Sequence, residues 1–422
     1  MEFETIATQG FLDLDKQNHT VSTPIYANSA YSFDSVQYAI DLFDLKIGGD
    51  IYSRLSNPTN EIMEKRIAAL EGGVGALATS SGMSAILIAI LNIASCGDEI
   101  VTSSKIYGGT YNLFNKTFRQ MGINSVFVNS DNLEDYEKAI TDKTKCIYTE
   151  SIGNPRIKIA DIEGLAKLAH KHGIPLIVDN TVPTPYLCKP FDFGADIIVH
   201  STTKYLSGHG NAMGGVIVDS GNFDWESSDK FKMLTTPDDS YHGIIYSKEF
   251  KNAAYIAKSR AHLVRDLGCC QSPFNAYLTI LGLETLAVRM ERHSANALAL
   301  AKHLENHPKV NFVIYPLLES SPDYKAAQKY LKHGASSLMG FGVNGDGKTF
   351  IESLKLFIHA TNLGDVRSII TYPAGTTHRQ LSAEQLKEAG ITNDYMRASV
   401  GLENIDDLIQ DIDNAIEKAS KK

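Results

Sequence analysis

Cysteine is scarce in this sequence. There are five among 422 residues: Cys96, Cys146, Cys188, Cys269 and Cys270. The number is odd, two are adjacent, and no Cys-x-x-Cys occurs. That argues against a disulfide framework or a zinc ribbon and for a reducing, cytoplasmic setting. Basic charge is also short. Lys plus Arg number 40 against 49 Asp plus Glu, a net charge of −9, so the electrostatic footprint of a nucleic-acid partner is missing. Long apolar runs are absent as well. The most apolar stretch, Met83 to Ala94, spans 12 residues and holds Ser84 and Asn92, against the ~20 residues of a membrane helix. It reads as a buried helix. Residues 1–10 carry Glu2 and Glu4 and lack a basic start followed by an apolar stretch, so they do not read as a signal peptide. His209 and His378 have no partner at metal spacing, and structural or supporting roles are expected for them.

What is present is an ordinary globular composition, 43% hydrophobic and 21% charged, long enough for two to three domains of ~150 residues or one large enzyme-like unit. Residues 1–60 are rich in Tyr, Ser, Asn, Thr and Pro with little period, and read as an extended arm. From Glu61 a helical pattern begins at Ile62, Arg66, Ala69 and Leu70 and is stopped by Gly72-Gly73. Short apolar runs follow at Ile100-Val101, Val126–Val128, Cys146–Tyr148, Leu176–Val178 and Ile197–Val199. Between them, Ile162, Leu165, Leu168 and Ala169 form a helical stripe ending at Gly173. This alternation predicts an α/β fold, a mostly parallel sheet covered by helices, over residues 61–260. Residues 261–422 read as a smaller α+β domain. One or two long helices are expected from Asn275 to Phe312, a strand at Ser337–Val343, a helix at Ser353–Phe357 and an amphipathic helix at Ile405–Ala419.

The chemistry-bearing residues fall at the ends of the predicted strands. Asp179 closes one strand, and Ser201-Thr202-Thr203-Lys204 follows the next. In open α/β sheets ligands bind outside the C-terminal strand ends. A carboxylate and an amine facing one crevice, with hydroxyls beside them, suit a cationic ring bearing an aldehyde and a phosphate, as in pyridoxal phosphate. A surface lysine and a helix-capping aspartate would leave the same pattern. Ser80-Ser81-Gly82-Met83 opens the apolar helix and offers free amides to an anion, or merely an N-cap. Tyr107-Gly108-Gly109-Thr110 sets an aromatic beside a flexible turn. Arg54, in Tyr52-Ser53-Arg54, suits a phosphate if held. Arg397 sits in an apolar, strand-like run where a charge needs a partner: a substrate carboxylate or an internal ion pair.

These segments occur in one order along nearly the whole chain: Tyr52 to Thr59, Ser80 to Met83, Tyr107 to Thr110, Glu150 to Pro155, Val178 to Thr181, Ser201 to His209, and Arg397 to Glu403. The series resembles the Cys/Met-metabolism family of pyridoxal-phosphate enzymes. The resemblance implies a fold-type I, aminotransferase-like architecture and a homotetramer built from two active dimers. It implies that Lys204 attaches the cofactor and acts as base, that Asp179 holds the ring nitrogen protonated, and that Tyr107 stacks on the ring. Ser81, Gly82, Met83, Ser201 and Thr203 would bind the phosphate, joined by Tyr52 and Arg54 from the neighbouring subunit. Asn154 would lie near the cofactor's phenolic oxygen and the substrate. Arg397 would clamp the substrate's α-carboxylate, with Asn362 and Tyr52 also on the substrate side.

Within the family, the segments Phe223-Asp224-Trp225, Pro237 to Gly243, Asn362 to Asp365 and Thr376-Thr377-His378 resemble the branch that replaces the acetate of O-acetylhomoserine with a sulfur nucleophile. A small amino-acid substrate and a sulfur donor are then expected, with homocysteine as product. Cystathionine γ-synthesis, O-succinylhomoserine sulfhydrylation and methionine γ-elimination are the alternatives that keep the cofactor. A non-catalytic pyridoxal-phosphate-binding protein is the alternative from another class. Tyr372, Gly375 and Ala398 depart from the family pattern and bear on side-chain selectivity.

Overall fold

A computed structural model describes residues 1–15, 17–376 and 392–421. Its larger sheet has the strands β1 (Gly75–Thr79), β2 (Glu99–Ser103), β3 (Asn124–Val128), β4 (Thr144–Glu150), β5 (Leu176–Asp179), β6 (Ile197–His200) and β7 (Gly215–Asp219). They lie in the order β1-β7-β6-β5-β4-β2-β3. Strands β2 to β6 pair in parallel, while β7 runs antiparallel to both β6 and β1. All five predicted apolar runs are therefore strands. Helices on both faces explain their unbroken apolar character. The sequence signals β1 and β7 less plainly, because Gly-Ala-Leu-Ala-Thr offers little apolar bulk and β7 begins within the glycine pair Gly214-Gly215. By this pairing the ends of β1 to β6 and the start of β7 share one edge. The register sets Glu150 opposite Asp179, Asp179 opposite Val199 and Thr79 opposite Gly215.

The apolar stretch forms the helix Gly82–Leu91, with Ser81 as N-cap accepting from the Ser84 amide. The stripe Ile162–Ala169 forms the helix Ile162–Lys171, capped by Asp161. Pro58–Glu71 is a helix that stops at Gly72, whose φ of +86° lies in the left-handed region that favours glycine.

Two long helices follow, Pro273–Glu284 and Leu286–Glu305. The predicted helical stretch ends before Phe312, which belongs to β8 (Val310–Ile314). The second sheet adds β9 (Leu338–Val343), β10 (Ile358–His359), β11 (Ile369–Thr371) and β12 (Tyr395–Ser399), in the order β10-β11-β12-β9-β8. The helix expected at Ser353–Phe357 lies earlier, at Gly347–Ser353. Asp346 caps its start, and the amides of Lys355, Leu356 and Phe357 are taken by the Asp411 carboxylate. Those amides are unavailable to a helix, so the chain turns out of it. The C-terminal helix Ile405–Ala419 matches its predicted bounds.

The N-terminal segment is less extended than its composition suggests. Phe3–Gln9 is a helix packed on Pro58–Glu71 and Pro273–Glu284. The fully buried Arg66 fastens it through the carbonyls of Gly10, at 2.8 Å, and Ala7, at 3.3 Å. Val36–Phe43 forms a second helix, with Val36 79% and Phe43 57% exposed.

Candidate active site

The shared edge of the large sheet gathers residues scattered from position 81 to 215. Gly82 begins its helix so close to the loop after β6 that a Cβ there would lie 2.6 Å from the Ser201 Cβ. Only glycine permits that approach. It lays the open amides of a helix start against Ser201 and Thr203, a cradle suited to a phosphate. Thr203 is held by backbone on both sides of its hydroxyl: Oγ1 accepts from the Gly214 amide at 3.1 Å and donates to the Gly214 carbonyl at 3.3 Å. Thr202 is buried with its hydroxyl unpartnered.

Lys204 is half-buried, and its Nζ donates to Asn362 Oδ1 at 2.6 Å. Withdrawal from water, and secondarily the nearby Arg397 charge, lowers its pKa to about 8. Arg397, on β12, donates from Nη1 to Asn154 Oδ1 at 2.9 Å and from Nη2 to the Asn362 carbonyl at 3.1 Å. Its Nε is buried without a partner. Neither of these bonds is to a carboxylate, so the internal ion pair, the alternative reading of this residue, is not what holds it. Desolvation lowers its pKa.

Asp179 accepts from the Thr181 amide at 2.9 Å and from the Tyr148 hydroxyl at 3.3 Å. Burial raises its pKa, opposed by the Thr181 hydrogen bonds and the charge of His200. Beside it, Glu150 is raised further, by burial and then by the Asp179 charge. His200 bonds to Glu71 at 2.6 Å, and Glu71 also accepts from Asn180, all three wholly buried behind Asp179.

Tyr107 is half exposed, and its amide donates to Glu150 Oε1 at 2.6 Å. It lies within electrostatic reach of Arg397. Thus Lys204, Asn154, Asn362 and Arg397 are joined by direct hydrogen bonds, and Tyr107 lies beside them. Asp179, Ser81, Gly82, Met83, Ser201 and Thr203 share the same sheet edge. Tyr52 and Arg54 are not joined to this set by any hydrogen bond within the chain. Both are exposed, with the Arg54 guanidinium 5.0 Å from the Tyr52 ring centre. His209 bonds to the Ser207 carbonyl. Thr377 and His378 lie outside the described residues.

The sequence reading assigned no part to Glu150, His200 or Glu71. Glu150 stands in the matched segment before Asn154, but its bonds are to main-chain amides, which no side-chain pattern reveals. A cavity of about 390 Å³ opens beyond Glu150. Two of its lysines are paired with carboxylates, Lys105 with Asp131 and Lys158 with Asp323, each at 2.6 Å. Among the described residues no cluster of His, Cys, Asp or Glu could hold a metal ion, and no helix is long and apolar enough to cross a membrane.

The residues present fit pyridoxal phosphate: an amine whose pKa is lowered to about 8, a carboxylate at a strand end, a glycine-opened cradle and an unpartnered guanidinium nitrogen. Comparison with known proteins agrees. The chain is 47% identical over 422 residues to "Sulfhydrylase FUB7" of Gibberella moniliformis, covering 99% of this chain and 98% of that one. It is 46% identical to the O-acetyl-L-homoserine sulfhydrylase of Leptospira meyeri, covering 98% and 96% respectively. A Campylobacter jejuni crystal structure, described as an O-acetylhomoserine (thiol)-lyase and carrying a pyridoxyl-lysine monophosphate, superposes with a TM-score of 0.96 at 43% identity, covering 99% of this chain and 100% of that one. The family model for Cys/Met metabolism PLP-dependent enzymes matches residues 4–417. With the match running from the first helix into the last, the chain belongs to the Cys/Met metabolism family of pyridoxal-phosphate-dependent enzymes.

Proposed function

We propose that this enzyme replaces the acetate of O-acetyl-L-homoserine with a sulfur nucleophile, giving L-homocysteine. The observation that carries the reading is the Lys204–Asn362–Arg397–Asn154 constellation, in a chain 46% identical to a protein named for that substrate.

When bound, pyridoxal phosphate supplies an aldehyde that captures amines and a ring that withdraws electrons from bonds at the substrate's α-carbon. Ser81, Gly82, Met83, Ser201 and Thr203 would hold its phosphate. Asp179 would keep a proton on its ring nitrogen, and Lys204 would be its covalent anchor. Tyr107 would cover the ring, and Asn154 would adjoin its phenolic oxygen.

Arg397 offers the unpartnered Nε to the substrate's α-carboxylate, a charge-assisted bond that fixes the α-carbon relative to Lys204. Asn154 and Asn362 aim the guanidinium. With a pKa of about 8, about a tenth of Lys204 is a free amine at pH 7, where an ordinary lysine with pKa ~10.4 offers almost none. Nζ can therefore accept the α-proton and return a proton later. Asn362 Oδ1 steadies the amine between those tasks.

Tyr52 and Arg54 complete the phosphate site of a second copy, with Tyr52 also reaching the substrate. The supporting observation is that both are exposed and unattached to their own chain's site, in a segment that also exposes Val36 and Phe43. The active unit is then a dimer, and two such dimers make a tetramer. The setting is cytoplasmic, consistent with five free cysteines.

The test is a product assay with O-acetyl-L-homoserine and sulfide, run beside O-succinyl-L-homoserine and methionine alone. Homocysteine from the acetyl ester is expected. Faster use of the succinyl ester, or keto acid and ammonia from methionine as the dominant reaction, would overturn the assignment.

A further inference from the structure

We infer that Glu150 is a positioning residue that locks the cofactor-stacking loop and the carboxylate-clamping loop to one another. The inference rests on the reading of the site given above and adds to it a residue that touches neither cofactor nor substrate.

Glu150 is the last residue of β4 and is 7% exposed. Its oxygens take different partners. Oε1 accepts the amide of Tyr107, at 2.6 Å, and Oε2 accepts the amide of Asn154, at 3.2 Å. Tyr107 belongs to the loop after β2, and Asn154 to the loop after β4 itself. Asn154 Oδ1 in turn accepts from Arg397 Nη1 at 2.9 Å. One side chain thus spans the aromatic that covers the ring and, through one amide, the guanidinium that meets the substrate.

The residue type is informative. Among the described residues no basic side chain bonds to Glu150, and a buried acid without a cation is costly. A glutamine of the same length would avoid that cost. It could serve only one of the two amides, since its second terminal atom is a donor. A carboxyl group is the side chain of this reach that accepts at both ends. Position reinforces the point, because the register places Glu150 directly opposite Asp179. The same strand end therefore sets the stacking ring, the clamp and the carboxylate beneath the ring nitrogen in one frame.

The experiment compares the wild-type holoenzyme with Glu150→Gln, by hydrogen–deuterium exchange of peptides spanning residues 105–112 and 152–158 and by visible circular dichroism of the bound cofactor. In the wild type, the Tyr107 and Asn154 amides should be the slow members of their loops. In Glu150→Gln at least one should exchange about tenfold faster, as expected when one buried hydrogen bond is lost. The cofactor's dichroic band should change, because the ring's cover has loosened, and KM for the amino-acid substrate should rise. A scaffold role alone would leave that band unmoved.

Unchanged exchange in both loops of a folded Glu150→Gln protein overturns the inference. Fast exchange of both amides in the wild type does the same, and needs no variant. A wild-type protein that takes up no pyridoxal phosphate would instead overturn the reading of the site, and exchange would still decide the part played by Glu150.

Discussion

The amine of Lys204 lies 2.6 Å from the side-chain oxygen of Asn362, whose own backbone carbonyl accepts from Arg397. A single residue between β10 and β11 thus holds the Lys204 amine with its side chain and the Arg397 guanidinium with its main chain. Truncating the side chain separates the two roles. Asn362→Ala removes the acceptor that favours the ammonium form, so the pKa of Lys204 should fall below about 8. Asn362→Asp adds an anion and should raise it. The acidic limb of the pH–rate profile, where the free amine appears, should move down in the first variant and up in the second. A limb unmoved in both would show that Lys204 is not the group being titrated.

Lys204→Ala should abolish covalent attachment of the cofactor and lower turnover by at least ~10²–10⁴-fold, the range ascribed to a positioned acid–base group, while the fold persists. Borohydride reduction and peptide mapping of the wild type check the assignment. Label on any other lysine refutes it.

Asp179→Asn should leave the cofactor bound but slow exchange of the substrate's α-deuterium by about 10²-fold or more, since a neutral amide does not stabilise a protonated ring nitrogen. An unchanged exchange rate would refute the role.

Arg54→Ala should weaken cofactor retention about tenfold to a hundredfold, the loss of one charge-assisted contact. Mixed with Lys204→Ala chains under conditions that exchange subunits, it should regain activity, because one hybrid site receives both intact residues. Proven exchange without recovery would place Arg54 in its own chain's site.

Lys258 supplies a stability prediction remote from the chemistry. It is 3% exposed and donates only to Asn92, at 3.1 and 3.4 Å, just past the helix that starts at the phosphate cradle. Burial lowers its pKa to about 8. The native state thus binds fewer protons here than the unfolded chain between about pH 8 and ~10.4. The penalty, on the order of 3 kcal/mol, is fully present below pH 8 and is relieved as pH rises through that window. Lys258→Met should be more stable than wild type at pH 7, with the gain shrinking toward pH 10. Chemical denaturation across that range measures it, and a gain independent of pH would show that Lys258 is not the source.

Legibility in the sequence followed burial. Strands covered on both faces announce themselves as apolar runs, so β2 to β6 were readable, whereas β1 is built of small residues and resembles a loop. The helix at Gly347–Ser353 was misplaced because Asp411, more than 50 residues away, takes the amides that would have prolonged it. In the site, Lys204, Asp179 and Arg397 stood out as charges in apolar surroundings. Glu150 did not, because its partners are backbone amides and backbone leaves no trace in residue type. Tyr52 and Arg54 could be read only by resemblance, since nothing within one chain calls for them.

Arg397 stands on the smaller sheet, while the amide that aims it, Asn154, follows a strand of the larger one. The unpartnered Nε is therefore buried where two separately built walls meet. An amine without an α-carboxylate could reach Lys204, but it would leave that buried donor dry and unmet. On the proposed reading of Arg397, the enzyme would screen visitors by what they fail to bring, at a point no single sheet could have built alone.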